Sequence, residues 1–147
     1  MATMGTALAG LEKSAGCYVC GQDNEGGMRL DFEHAGPFTA QVHTIARTEH
    51  EGWGGLLHGG VIFTLMDEAL GWCLFFEGVS AVTAKIETRF LKPVRTGTQL
   101  RVRAWVTAHR QRLYQASAEV ISDDDDGIVF AEAAATMMRV LPEGAKG

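Results

Sequence analysis

The sequence predicts an α+β domain in which a long antiparallel sheet curls around one central helix. Alternation of apolar and polar residues recurs in six segments, the signature of half-buried strands. Only residues 59–75 carry a long apolar run of helical length. The lengths also agree. Late strands of about ten residues span about 33 Å, and a helix over 59–75 spans about 25 Å.

The elements follow in order. "MRLDFEH" turns Met28, Leu30 and Phe32 inward, and "FTAQVHTIAR" sets Phe38, Ala40, Val42 and Thr44 on one face. Gly36-Pro37 between them is a turn signal. After the helix, "AVTAKIETRFL" places Val82, Ala84, Ile86, Thr88 and Phe90 on one side. "TQLRVRAWVTA" does the same with Leu100, Val102, Ala104 and Val106. "RLYQASAEVIS" and "IVFAEAAATMMRV" are two more strands, although the alanines of the last also suit a helix. "PVRTG" and "SDDDDG" are the joints, the second read as an Asp-Gly turn rather than a cation site. Residues 17–141 form the single domain, after a loose segment 1–16 and before a tail 142–147.

At 147 residues the chain suffices for one domain with a real core. No apolar run spans a membrane without acids interrupting it. No basic stretch precedes the mild apolar patch at the N-terminus, so no signal peptide is expected and the expected compartment is the cytoplasm. Three cysteines, Cys17, Cys20 and Cys73, argue against a disulfide framework. Cys73 is a small core residue. Cys17 and Cys20 lack two further zinc ligands nearby and lack a βαβ setting for redox work, so no metal is expected. A net charge of −5 disfavours nucleic acid as partner. Residues 85–112 nonetheless carry +7, leaving −12 for the remainder, and such a segment suits an anion.

The helix is apolar nearly all round, a pattern that belongs to a buried helix. Gly60, Thr64, Asp67 and Gly71 form one narrow stripe of small and polar residues along it. An acid there must find a partner or shift its pKa, which makes Asp67 the candidate catalytic residue. Glu68, rotated by one residue, is expected to be structural and to pair with a cation such as Arg89. At the helix start the first N–H groups lack intrahelical partners and sit at the positive end of the dipole. Gly59 and Gly60 let a ligand approach that backbone and could hold an oxyanion. His58 caps, orients a loop or touches the ligand, and is not the expected general base.

Asp67 lies about 10 Å along the axis from Gly60. One Asp side chain cannot reach a carbonyl held at its own helix start. If both groups act on one substrate they come from two chains, and a homodimer with two shared sites follows.

"HGGVIFTLMDEALGW" resembles the HGG-x6-D signature of the hotdog-fold thioesterases, in the phenylacetate-pathway-like branch. "CYVCGQDNEGGMRLDF" is similar to the C-x-x-C-G-x-x-N-x-x-G opening of a subgroup of that branch, and "RFLKPVRTG" to its strand-end Pro and Gly. The match runs from Cys17 to Val140. The resemblance implies the hotdog fold, paired into a dimer with a continuous sheet, with a dimer of dimers as the alternative assembly, and hydrolysis of acyl-CoA thioesters. It implies Asp67 as catalytic acid and Gly59, with Gly60 beside it, as donor to the thioester carbonyl. Thr83 matches a Ser/Thr that positions water, and His58 a residue shaping the site. The C-x-x-C pair is implied to be a structural turn. Two departures stand out. "EHEGWGGLL" lacks the Asn or Gln common before the HGG, leaving His50 or Glu51 in its place, and no proline follows Asn24.

The expected reaction is therefore thioester hydrolysis, with Asp67 as general base or nucleophile. Lys92, Arg95, Arg110 and Arg112 are the candidates for the CoA phosphates, with Thr64 and Glu68 also lining the substrate site. The acyl chain is expected against Phe63, Trp53 or Trp72. No cofactor is expected beyond the CoA of the substrate. Alternatives are an acyl-CoA hydratase or dehydratase on the same fold, and a non-catalytic acyl-CoA binding protein.

Overall fold

The computed structural model describes residues 13–140. The expectations for residues 1–12 and 141–147 lie outside them. The element order is β1 (Glu33–Gly36), β2 (Thr39–Ile45), a 3-10 turn (Thr48–His50), α1 (Gly59–Phe75), β3 (Ala81–Phe90), β4 (Gln99–Arg110), β5 (Leu113–Ser122) and β6 (Val129–Arg139). This is the expected succession of two strands, a helix and four strands. All pairings are antiparallel, in one sheet ordered β1-β2-β4-β5-β6-β3.

Helix α1 buries Ile62, Leu65, Met66, Ala69, Leu70, Cys73 and Leu74 against the concave sheet face. Opposite them lie Val42, Leu100, Val102, Ala104 and Val120. The alanines that blurred the reading of the last strand have a packing reason. Ala131, Ala133 and Ala135 are buried, as are Ala116 and Ala118 of the neighbouring β5, and these small side chains leave room for the helix on a curved sheet.

Four expectations need correction. First, α1 is not buried all round. Phe63, Thr64, Asp67, Glu68 and Gly71 are only half-buried, because the sheet ends at β3 and, among the described residues, that flank is met only in part, by Thr83 at Asp67 and by the N-terminal turn at Glu68 and Gly71. Second, residues 28–32 are not a strand. Met28, Leu30 and Phe32 are buried as their alternation requires, but Met28 and Leu30 donate their N–H groups to Tyr18 and Val19 carbonyls at 2.8 Å, not to the sheet. Third, Phe38 does not continue the inward face of β2. It occupies the turn with φ of 50° and is partly exposed.

Fourth, β3 does not alternate simply. Its register with β6 shifts between Thr83 and Lys85, leaving Ala84 as a bulge. Thr83, Ile86, Thr88 and Phe90 then oppose Met137, Ala135, Ala133 and Ala131, all of them core residues. Val82 opposes Met138, turns outward and is 41% exposed. The bulge therefore places Thr83, not Val82, on the face that meets the helix.

The "SDDDDG" joint is a turn. Asp124 accepts from Ser122 Oγ at 2.9 Å and from the N–H groups of Asp126 and Gly127, and these bonds, led by the Ser122 hydroxyl, hold its carboxyl below the usual range. Gly127 takes a φ of 55° that other residues resist.

Candidate active site

The first turn of α1 is built by its cap. His58 is in an extended conformation, and its Nδ1 accepts the Gly60 N–H at 2.8 Å. Its carbonyl takes the N–H groups of Val61 at 2.9 Å and Ile62 at 3.1 Å. Among the described residues the Gly59 N–H donates to nothing. Of the two glycines it is thus Gly59 whose donor is free, while that of Gly60 is taken by the cap. A Cβ on Gly59 would lie 3.7 Å from the Phe90 ring, in ordinary contact. His58 is itself held by its N–H to the His50 carbonyl at 2.9 Å.

An open pocket of about 540 Å³ meets this turn, lined by Glu51, Gly52, Trp53, Leu57, His58 and Gly59. Trp53 is 84% exposed at its edge. Glu51, which stands where an amide was expected, accepts the Gly55 N–H at 3.0 Å and so braces the loop. Trp72 is elsewhere. It stacks on Phe32 with centroids 6.1 Å apart, near the far end of the helix. A separate pocket of about 480 Å³ on the outer sheet face, lined in part by Glu87, Arg89 and Trp105, is remote from α1.

Two turns further along α1, Asp67 Oδ1 accepts the Thr83 hydroxyl at 2.8 Å. The pair sits at β3, one of the two edge strands of the sheet among the described residues. Thr64 does not join it, since its hydroxyl donates to the Gly60 carbonyl at 2.7 Å.

Glu68 does not pair with Arg89. Arg89 lies on the outward face of β3 opposite Glu132, whereas Glu68 points toward the N-terminal segment. Its Oε1 accepts from Trp72 Nε1 at 3.1 Å and from Lys13 Nζ at 3.4 Å, and lies 3.7 Å from Cys17 Sγ. Burial, reinforced by the Glu68 carboxylate and Cys17, pushes the Cys20 thiol up to about 12. Lys13, Cys17 and Cys20 are partners that sequence reasoning did not assign to Glu68. Only the i,i+4 spacing of Glu68 and Trp72 was visible there.

The four cations divide into two pairs. Lys92 and Arg95 follow β3 at the helix-start end, where the Lys92 N–H meets the Phe130 carbonyl and Arg95 bridges to Leu56. Arg110 and Arg112 sit at the β4–β5 hairpin, where the Arg112 carbonyl takes the Arg139 N–H at 2.8 Å. The strands between them are 10 to 12 residues long, so about 33 Å or more separates the pairs within one protomer.

The thioesterase superfamily model matches residues 54–129, just over half of the chain. The chain belongs to the thioesterase superfamily. Its helix-on-sheet architecture is the hotdog fold of that superfamily. Among solved structures, a thioesterase superfamily protein aligns over 84% of this chain with a TM-score of 0.78 at 20% identity, and this chain spans only 60% of that protein. A mutant of the phenylacetic acid degradation protein PaaI from Thermus thermophilus is 26% identical over 75% of this chain and 92% of its own length, with a TM-score of 0.67. A protein from Streptococcus mutans, solved bound to acetyl CoA, is 23% identical over 77% of this chain and 90% of its own, with a TM-score of 0.70. No helix among the described residues is long and apolar enough to cross a membrane.

Proposed function

We propose that this superfamily member hydrolyses an acyl-CoA thioester in sites shared between two copies of the chain. The observation that carries the reading is the Asp67–Thr83 pair, a carboxylate held by a hydroxyl on the half-buried flank of a core helix. Further support comes from β3. It is a ten-residue edge strand with Phe90 56% exposed, and such edges invite pairing with another strand. A two-fold pairing through β3 sets the helices side by side and antiparallel. Each Asp67 then approaches the other copy's free Gly59 N–H and its pocket. The same operation brings the Arg110/Arg112 end of one copy toward the Lys92/Arg95 end of the other, joining the two cation pairs around one nucleotide. The acetyl CoA bound by the Streptococcus mutans relative fits this substrate class.

In this site the acyl carbonyl accepts the Gly59 N–H, which stabilises the oxyanion as it forms. Along the general-base route Asp67 takes a proton from water, whose oxygen bonds to the acyl carbon. The carbon–sulfur bond breaks, and the proton passes from Asp67 to the CoA thiolate. Along the nucleophilic route the Asp67 carboxylate attacks the acyl carbon and the carbon–sulfur bond breaks, expelling CoA thiolate and leaving a mixed anhydride that water cleaves to the free acid and the restored Asp67 carboxylate. Thr83 fixes the carboxylate in either. Exposed Trp53 at the pocket edge meets the acyl group.

A panel of acyl-CoAs with chromogenic trapping of free thiol tests the reading. Thiol release by the native chain and its loss in Asp67→Asn are expected. Binding without release would make the chain an acyl-CoA binding protein instead. Single turnover in isotope-labelled water separates the routes, since label entering Asp67 requires the anhydride. KM should rise with salt if exposed cations hold the phosphates.

A further inference from the structure

The N-terminal turn is more closely specified than a structural loop requires. Cys17 and Cys20 are three residues apart and followed by Gly21, whose N–H meets the Cys17 carbonyl at 3.0 Å. The Cys20 N–H points at Cys17 Sγ at 3.4 Å. A Cβ on Gly21 would fall 2.4 Å from the Cys17 nitrogen and 2.5 Å from the Ala15 carbonyl oxygen, so only glycine closes the turn. Glu68, 51 residues away from Cys17, enters from α1, and the two sulfurs and its carboxylate oxygen all lie within 4.8 Å of one another.

The geometry points to a site for a thiophilic divalent cation of the zinc class, bound by Cys17, Cys20 and Glu68 with water in the fourth position. A tetrahedral zinc ion with bonds of about 2.3 Å to sulfur and about 2.0 Å to oxygen holds those ligands about 3.5 Å apart. Cys17 Sγ and Glu68 Oε1 are 3.7 Å apart already. Thiolate ligands select zinc over magnesium or calcium. The N–H of Cys20 toward Cys17 Sγ and the Trp72 indole on Glu68 are the outer partners that orient such ligands. Lys13, 3.4 Å from the carboxylate, offsets part of the ligands' negative charge. The ion would pin the N-terminal segment to α1 at the residue next to Asp67. This site does not depend on the proposed hydrolysis.

Cobalt(II) titration of the full chain, reduced and stripped of metal with a chelator, tests it without reference to activity. One equivalent should raise a sulfur-to-cobalt charge-transfer band with the visible bands of a tetrahedral ion, and one equivalent of Zn²⁺ should erase both. Cys20→Ser and Glu68→Gln should each weaken cobalt binding about tenfold or more. Cys73→Ser should leave the spectrum unchanged, because Cys73 is buried in the core. The site is overturned by the lack of a charge-transfer band in the native chain, or by a band that survives both Cys20→Ser and Glu68→Gln. Should Cys20→Ser fail to fold, Glu68→Gln alone decides, and undiminished cobalt binding in it overturns the site. A native chain that isolates with a Cys17–Cys20 disulfide, and after reduction still gives no band, also overturns it.

Discussion

Thr83 on β3 donates its hydroxyl to Asp67 on α1 across 2.8 Å, tying an edge strand of the sheet to the middle of the helix. The Asp67 carboxylate thereby has one oxygen engaged, and among the described residues the other has no hydrogen-bond donor. If the hydroxyl positions a catalytic carboxylate, Thr83→Ala should lower kcat by about tenfold to a hundredfold with little change in KM. Thr83→Ser should restore most of it. Asp67→Asn should lose about a hundredfold to ten-thousandfold, the range of a general base. Steady-state kinetics on a single acyl-CoA checks all three. Equal kcat in Thr83→Ala and the native chain would leave the pair with a packing role only.

That pair also shows where legibility ended. Strict alternation over residues 82–90 turns Thr83 outward, and only the bulge at Ala84 brings it to the helix. Nothing in "AVTAKIETRFL" announces a bulge, because Ala84 has neither the glycine nor the proline that often marks one. Helix α1, by contrast, was readable to its ends, since its apolar run is bounded by His58-Gly59-Gly60 and by the turn at Gly78, where φ is 75°. The partner of Glu68 was not readable. Beyond Trp72 at i+4, its contacts come from residues 51 and 55 positions away, and the sequence offers no pattern linking a C-x-x-C turn to a helix that distant. The half-exposed flank of α1 was misread for a related reason. Apolar composition does not distinguish a flank covered by its own sheet from one left for a second chain.

His58 is the helix cap as well as a pocket residue, and the two roles separate by substitution. His58→Ala should cost about 1 kcal/mol of stability, because the Gly60 N–H loses its acceptor. His58→Asn, which supplies a side-chain oxygen suited to that position, should recover most of the loss. Urea denaturation at one pH measures both. Identical midpoints for His58→Ala and the native chain would exclude the cap as a stabilising element.

Glu77 ties the end of α1 to the β1–β2 turn. Its Oε1 accepts the Phe38 N–H at 2.8 Å and meets His34 Nε2 at 2.8 Å. The Phe38 N–H foremost, then His34, hold the carboxyl below its ordinary 4.5. A carboxyl with a lowered folded pKa stabilises the fold above the unfolded value and loses that contribution as pH falls through the folded one. Glu77→Ala should therefore lower Tm at neutral pH, and the gap to the native chain should narrow as pH drops below about 4. A gap that stays constant down to strongly acid pH would assign the effect to packing rather than to charge.

The proposed sharing of sites between two copies has a consequence that no single variant can show. Gly59→Ala should fold, because the added methyl meets Phe90 at an ordinary 3.7 Å, yet it should crowd the carbonyl at the helix start. Homodimers of Gly59→Ala and of Asp67→Asn should both be impaired. In the mixed dimer, one site combines both defects. The other takes its Asp67 from the Gly59→Ala chain and its Gly59 from the Asp67→Asn chain, and is intact. Co-expressing the two chains with different affinity tags and isolating the doubly tagged species should recover about half of the native activity per dimer. Two groups acting within one protomer would give the opposite result, since every chain in the mixed dimer then carries a defect and the activity stays at the level of the impaired homodimers.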